Sequence, residues 1–222
     1  MIAEHAIILV VVLPLLVAPL CILLGRGVLA WIAATLAVWG SFGLALHLLH
    51  KVLTVGVQTY MLSGWEAPVG IEYRLDVAGA LVMTVVTGIG SIVLPYSWKS
   101  VQKEIDEHRH HWFYACLLLC FAGLLGITVT GDAFNLFVFL EISSLSTYVL
   151  VSMGRDRRAL MAAFRYLLLG TVGATFYLLG IGFLYQMTGT LNIADLAQRL
   201  TELGPDGVTL VHQTTTVRAA LA

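Results

Sequence analysis

Apolar residues run along this chain in long unbroken blocks, not in the short alternations of a soluble domain. A helix crossing the ~30 Å hydrocarbon core of a bilayer needs about 20 of them. Six blocks reach that length: Ala6–Leu24, Val28–Leu49, Leu75–Trp98, Trp112–Thr130, Ala133–Met153 and Ala159–Met187. A further apolar start near Thr215 reaches Ala222 without the length to span. The pattern predicts an all-α fold: a polytopic transmembrane helix bundle of six spanning helices plus the start of a seventh. Pro14 and Pro19 are expected to kink the first helix, because each removes a backbone donor. The glycines of the Gly170–Gly182 stretch give the sixth a smooth surface that another helix can approach closely.

Polar residues mark the links. Gly25–Gly27, Gly131–Asp132 and Gly154–Arg158 are short, which makes sequential helices antiparallel neighbours. Two links are longer. His50–Arg74 contains Ser63-Gly64-Trp65-Glu66-Ala67-Pro68 and an alternation around Ile71–Leu75, which predicts a hairpin or re-entrant cap. Thr190–Thr214 carries the turn sequence Gly204-Pro205-Asp206-Gly207 and a short amphipathic helix at Ala194–Leu203. The chain thus divides into a six-helix membrane domain, 1–189, and a polar outer segment with the start of a truncated helix, 190–222.

Composition agrees with the pattern. Hydrophobic residues make up 59% of the chain and charged ones 11%, and the mean hydropathy is +0.91. An average globular domain carries about a quarter charged residues. A net charge of −1 offers no basic stripe for nucleic acid. Met1–His5 lacks the basic region of a cleavable signal, so the chain is expected to enter a cell (inner) membrane by its own helices. Cys21, Cys116 and Cys120 lie inside apolar blocks and read as small buried residues, not as a disulfide or zinc framework. Orientation follows the Lys/Arg bias. With the N-terminus outside, Arg26, Lys99, Lys103, Arg109, Arg155, Arg157 and Arg158 lie inside, against Lys51, Arg74, Arg199 and Arg218 outside.

Ionisable residues within a span are expensive and mark function. Glu141 lies about 12 Å from one end of Ala133–Met153 and about 18 Å from the other, too deep for its short side chain to reach water. Desolvation there raises a carboxyl's pKa toward neutrality, as a proton carrier requires. Ser144 and Tyr148 follow on roughly the same face and could hydrogen-bond the carboxylate or hold water. The alternative is a permanently protonated Glu that only glues helices together. Arg165 is about 9 Å into the next helix, from where it either snorkels to the headgroups or faces Glu141 as a charge partner. Asp132 is placed as an N-cap of the fifth helix, near Asn135.

Other candidates are weaker. His47 and His50 share a face, and His108, His110 and His111 crowd a loop, without the fixed pattern of a metal site. The Lys99–Arg109 run reads as a solvated loop. No nucleophile triad, phosphate loop or haem motif is present, and neither metal nor cofactor is expected.

Three stretches resemble a known family: Gly131-Asp132-Ala133-Phe134-Asn135-Leu136-Phe137-Val138-Phe139-Leu140-Glu141-Ile142-Ser143-Ser144, Ala162-Ala163-Phe164-Arg165-Tyr166-Leu167-Leu168-Leu169-Gly170, and Thr188-Gly189-Thr190-Leu191-Asn192. They are similar to the antiporter-like subunits shared by respiratory complex I, membrane-bound hydrogenases and Mrp-type Na⁺/H⁺ antiporters, above all to the D-type subunit of Mrp. The resemblance implies that Glu141 is a key protonatable residue of the fifth helix. It also implies that Arg165 stands where the family usually has lysine. Arginine keeps that charge but does not release a proton. Family members continue into a broken helix bearing an essential lysine and then a second, inverted repeat. The chain is therefore expected to be an N-terminal portion or one piece of a split subunit, with another chain supplying the lysine helix. The implied function is cation/proton antiport, with H⁺ and Na⁺ as the ions. Three alternatives stay open: a membrane-arm subunit of a redox-driven pump, which would place the chain in an oxidoreductase, a membrane subunit of an inorganic-carbon uptake complex, or a non-conducting scaffold.

Overall fold

The computed structural model describes residues 5–202 and 211–221. Six helices are long and apolar enough to cross a membrane. They are α1 (Ala6–Leu24), α2 (Gly27–Val55), α3 (Val77–Glu104), α4 (His110–Val129), α5 (Ala133–Ser152) and α6 (Arg157–Thr188). Two short helices follow, α7 (Ile193–Arg199) and α8 (Thr215–Leu221). The segment joining α2 to α3 is the expected hairpin: β1 (Gln58–Met61) pairs antiparallel with β2 (Glu72–Leu75), Tyr60 opposite Tyr73. The helix expected at Ala194–Leu203 ends already at Arg199; Leu203 and the turn sequence Gly204–Gly207 lie outside the described residues.

Several helices outrun their apolar blocks. α2 continues through His50 and Lys51 to Val55, and α3 continues through Lys99 and Lys103 to Glu104. The Lys99–Arg109 run is therefore mostly a helical extension, followed by a 3₁₀ turn at Glu107–Arg109. The hydrocarbon core limits the apolar length, not the helix. The 29 residues of α2 rise about 43 Å, the thickness of a bilayer with its headgroup layers.

Successive helices are antiparallel, so the hairpin lies at one end of the bundle and Arg155–Arg158 at the other. The core forms where α1, α2, α3 and α4 pack together, around Val10, Val38, Met83, Leu94, Tyr114, Leu118 and Leu125. Lipid tails are as apolar as leucine, so packing and hydrogen bonds hold these helices together, not the hydrophobic effect. Gly90 is one point of close approach, since a Cβ there would strike the Phe121 ring.

The prolines show how the hydrogen bonds are kept. A helical proline leaves the carbonyl four residues earlier without its N–H partner, and no water replaces it in the bilayer. Pro14 frees the carbonyl of Val10, which accepts from the buried Ser41 hydroxyl of α2 at 3.4 Å. Pro95 frees that of Ser91, which accepts from Trp39 Nε1, also on α2, at 2.9 Å. Thus α2 is the donor rail for the freed carbonyls of the helices on both sides of it.

Candidate functional site

α5 is seated on α4 through glycines. A Cβ at Gly123 would lie 2.8 Å from the Phe139 carbonyl oxygen and 2.7 Å from Ser143 N, and one at Gly126 would overlap the Phe139 ring. This contact carries a line of hydroxyls. Ser143, Ser146 and Thr147 each donate back to α5's own carbonyls, at 2.9, 2.7 and 2.7 Å. Thr147 Oγ1 also lies 3.3 Å from Cys120 Sγ of α4.

Glu141 sits on this helix, half-buried. Among the described residues no side chain hydrogen-bonds it and no cation pairs with it. Ser144 is half-buried beside it, and Tyr148, almost two turns on, is 7% exposed. The Tyr148 ring meets Tyr166 edge-on at 4.9 Å, and its hydroxyl fills the space that a Cβ would need at Gly170 of α6. Tyr148 therefore holds the α5–α6 joint.

The expected facing of Glu141 by Arg165 is not realised as a contact. α6 turns toward the bundle the regular series Ala163, Leu167, Gly170, Ala174, Tyr177 and Ile181. At 100° per residue, Arg165 falls some 200° from Ala163, on the opposite side, where it is exposed. Residue spacing fixes the depth of Arg165 but not its azimuth.

At the hairpin end three links converge in a knot of polar groups. Asp132 caps α5 as expected, accepting from Asn135 N at 2.7 Å. Gly131 N donates to Glu72 O of β2 at 2.8 Å, Ala133 N to Leu191 O at 2.8 Å, and Ile193 N to Gly131 O at 2.9 Å. Side chains reinforce the backbone. Asn192 Nδ2 donates to Glu72 Oε2 at 3.2 Å, and Asn135 Nδ2 to Thr130 Oγ1 at 3.0 Å. Arg199 donates to Thr188 O at 2.9 Å and to Asp195 at 3.0 Å. The Thr190 hydroxyl and then Arg199 hold the Asp195 carboxyl below its ordinary pKa. Burial pushes the Tyr73 phenol of β2 up, with Asn135 pulling the other way. Glu72 and Thr130 were not singled out from the sequence, Asn192 entered only within a resembling stretch, and Arg199 only as an outer basic residue. The signal available was the polar run Thr188–Asn192 directly after an apolar span.

At the other end, His110 opens α4 and is 5% exposed, with a ring nitrogen 3.0 Å from Ile105 O. It lies beside a cavity of about 300 Å³ lined by Gly27, Trp98, Gln102 and Glu107. Among the described residues, no three His, Cys, Asp or Glu side chains group as metal ligands.

The fold and this arrangement define a multi-pass helical membrane protein with a carboxylate carried inside a glycine-seated span. Residues 130–221 match the NADH:quinone oxidoreductase/Mrp antiporter transmembrane family. The chain belongs to this antiporter-like family. It is 46% identical over 206 residues to NADH-quinone oxidoreductase subunit N of Desulforudis audaxviator, covering 90% of this chain and 40% of that one. It is 33% identical over 211 residues to the D-type subunit of the Na⁺/H⁺ antiporter of Bacillus subtilis, covering 94% and 42%. The chain therefore spans about two fifths of the length of these relatives. Among solved structures, a chain of the archaeal membrane-bound sulfane sulfur reductase superposes over all of this chain and 44% of its own, with TM-score 0.81 and 27% identity. A chain of the Mrp complex from Dietzia superposes with TM-score 0.82 at 22% identity, covering 99% of this chain and 39% of its own, which speaks for the fold alone.

Proposed function

We propose that the chain is a subunit of a cation/proton antiporter of the Mrp type, in which Glu141 carries the translocated proton. The observation that supports this reading best is the placement of Glu141: mid-span, half-enclosed and unpaired among the described residues, on a helix fixed by backbone-close glycine contacts. A carboxyl kept there costs roughly 2.5–3.5 kcal/mol on insertion scales, and the packing of α5 gains nothing visible from it. Ser144 stands one turn from it and Tyr148 holds the adjoining α5–α6 joint, and Asp132 fixes the start of the helix that bears it. Arg165 acts as a fixed positive charge from the exposed side of α6. Residues 1–189 form the translocating domain and 190–222 its outer cover, with the N-terminus outside and the chain in the cell's inner membrane.

Glu141→Gln keeps shape and hydrogen bonding but removes the exchangeable proton. Complexes with this change should assemble and lose cation-driven proton exchange in vesicles, while Glu141→Asp should retain part of it. Exchange at the wild-type rate in Glu141→Gln complexes would make the carboxylate structural. The greater identity to a quinone oxidoreductase subunit supports a second reading, a redox-driven pump. Glu141→Gln would then abolish proton uptake driven by electron transfer, and added Na⁺ would drive none in the wild type.

A further inference from the structure

The third helical proline lacks what the other two have. Pro19 frees the carbonyl of Leu15, and among the described residues no side chain donates to it. Leu15 is the central residue of α1, nine residues from Ala6 and nine from Leu24, so its carbonyl lies about 13 Å from either end of the span. Water does not reach that depth, and lipid tails have no donor. Pro19 and its neighbours also form an unpartnered stripe: Leu15, Leu16, Leu20 and Leu23 are 36, 65, 45 and 82% exposed. The same chain meets its two other freed carbonyls with a hydroxyl and an indole N–H from an adjacent helix.

We propose that the Leu15–Leu23 stripe of α1 seats a transmembrane helix of another subunit, one that donates a side-chain O–H or N–H to the Leu15 carbonyl. The exposed stripe supplies the contact surface and the freed carbonyl the acceptor, so the site selects a helix by apolar packing and by one hydrogen bond. A lipid chain covers the stripe but leaves the acceptor bare. The proposal rests on the chain working within a multi-subunit complex.

Two variants in the intact complex test it. Pro19→Ala restores the N–H that serves Leu15 from within α1, and so removes the need for the partner's donor. Pro14→Ala is the control, because its carbonyl is served inside the chain. A hydrogen bond across membrane helices corresponds to about a three- to tenfold change in an association constant. Pro19→Ala should lower recovery of the seated subunit by about that factor in mild detergent, with Pro14→Ala unchanged. Oxidative crosslinking or photocrosslinking from position 16 (Leu16→Cys or a benzophenone residue) in native membranes, with the product peptide sequenced, should identify a spanning helix. That helix should carry Ser, Thr, Tyr, Trp, Asn or Gln within a turn of the crosslink. Adducts with lipid alone, a helix without such a donor, or equal recovery for both proline variants would each overturn the proposal, leaving the complex itself established. Failure of any subunit to co-purify with the unmodified chain would instead overturn the multi-subunit reading.

Discussion

α4 and α6 are helices of similar apolarity in one chain, yet 44% of α4's most apolar window is buried and only 6% of α6's. Apolarity brings both into the bilayer but does not decide which is enclosed. What differs is where the small residues meet a neighbour. Gly123 and Gly126 of α4 lie against the backbone and ring of α5, whereas Gly173 and Gly182 of α6 have nothing within 4 Å of a Cβ. The α1–α4 core thus extends onto α5 through Phe139. The helix bearing Arg165 leaves most of its surface open, and α5, which carries Glu141, lies between the two. The ionisable residues of interest sit on the part of the molecule that this chain leaves uncovered.

Overfilling one glycine on each helix should separate the two most strongly. Gly126→Leu drives a side chain into Phe139 at the α4–α5 seat. Overpacking of this kind typically costs about 1–3 kcal/mol, occasionally more, and a rigid aromatic leaves little room to relax. The expected outcome is loss of monodisperse protein in detergent, read by size-exclusion chromatography of the chain alone. Gly173→Leu on the open side should leave that elution profile unchanged and lower only the yield of the assembled complex. If both variants behave alike, α6 is not an interface.

A smaller effect is expected inside the core, at the donor rail of α2. Ser41→Ala leaves the Val10 carbonyl without its side-chain donor, worth about 1 kcal/mol. Adding Pro14→Ala restores the backbone donor and should recover most of that loss. Reversible unfolding in mixed micelles measures the cycle. An equal loss with and without Pro14 would mean that Ser41 acts by packing, not by its hydrogen bond.

Much of this architecture was legible because a bilayer imposes few rules. The apolar blocks located the six spans, and Asp132 read correctly as a cap because a short acceptor beside an apolar run has few other uses. Helix ends were less legible: His50, Lys51 and Lys99–Glu104 continue their helices beyond the hydrocarbon, where polarity no longer signals termination. The facing of Arg165 failed for a geometric reason. Depth along a helix follows from counting residues, but azimuth depends on which face the neighbour chooses, here the Ala163–Leu167–Gly170 face. The knot joining Glu72 to Asn192 spans 120 positions, and no local pattern announces such a pairing.

The least of these effects concerns that knot and its pH dependence. Because Thr190 and Arg199 hold the Asp195 carboxyl below its ordinary value, the folded state favours the ionised form more than the unfolded state does. The contribution is therefore fully present above the ordinary carboxylate pKa of about 3.9. It is lost as pH falls through the lower, folded value. Asp195 is surface-lying, so the effect is local and confined to Thr188–Arg199, not a global unfolding. Amide exchange of that segment, compared between wild type and Asp195→Asn at each pH, isolates it from the intrinsic pH dependence of exchange. The wild type should be better protected near pH ~6, and the two should converge once the pH has fallen through the lower, folded value. If protection differs by the same factor at both pH values, the carboxylate's charge is not what ties α7 to the end of α6, and the Arg199–Thr188 hydrogen bond holds that end alone.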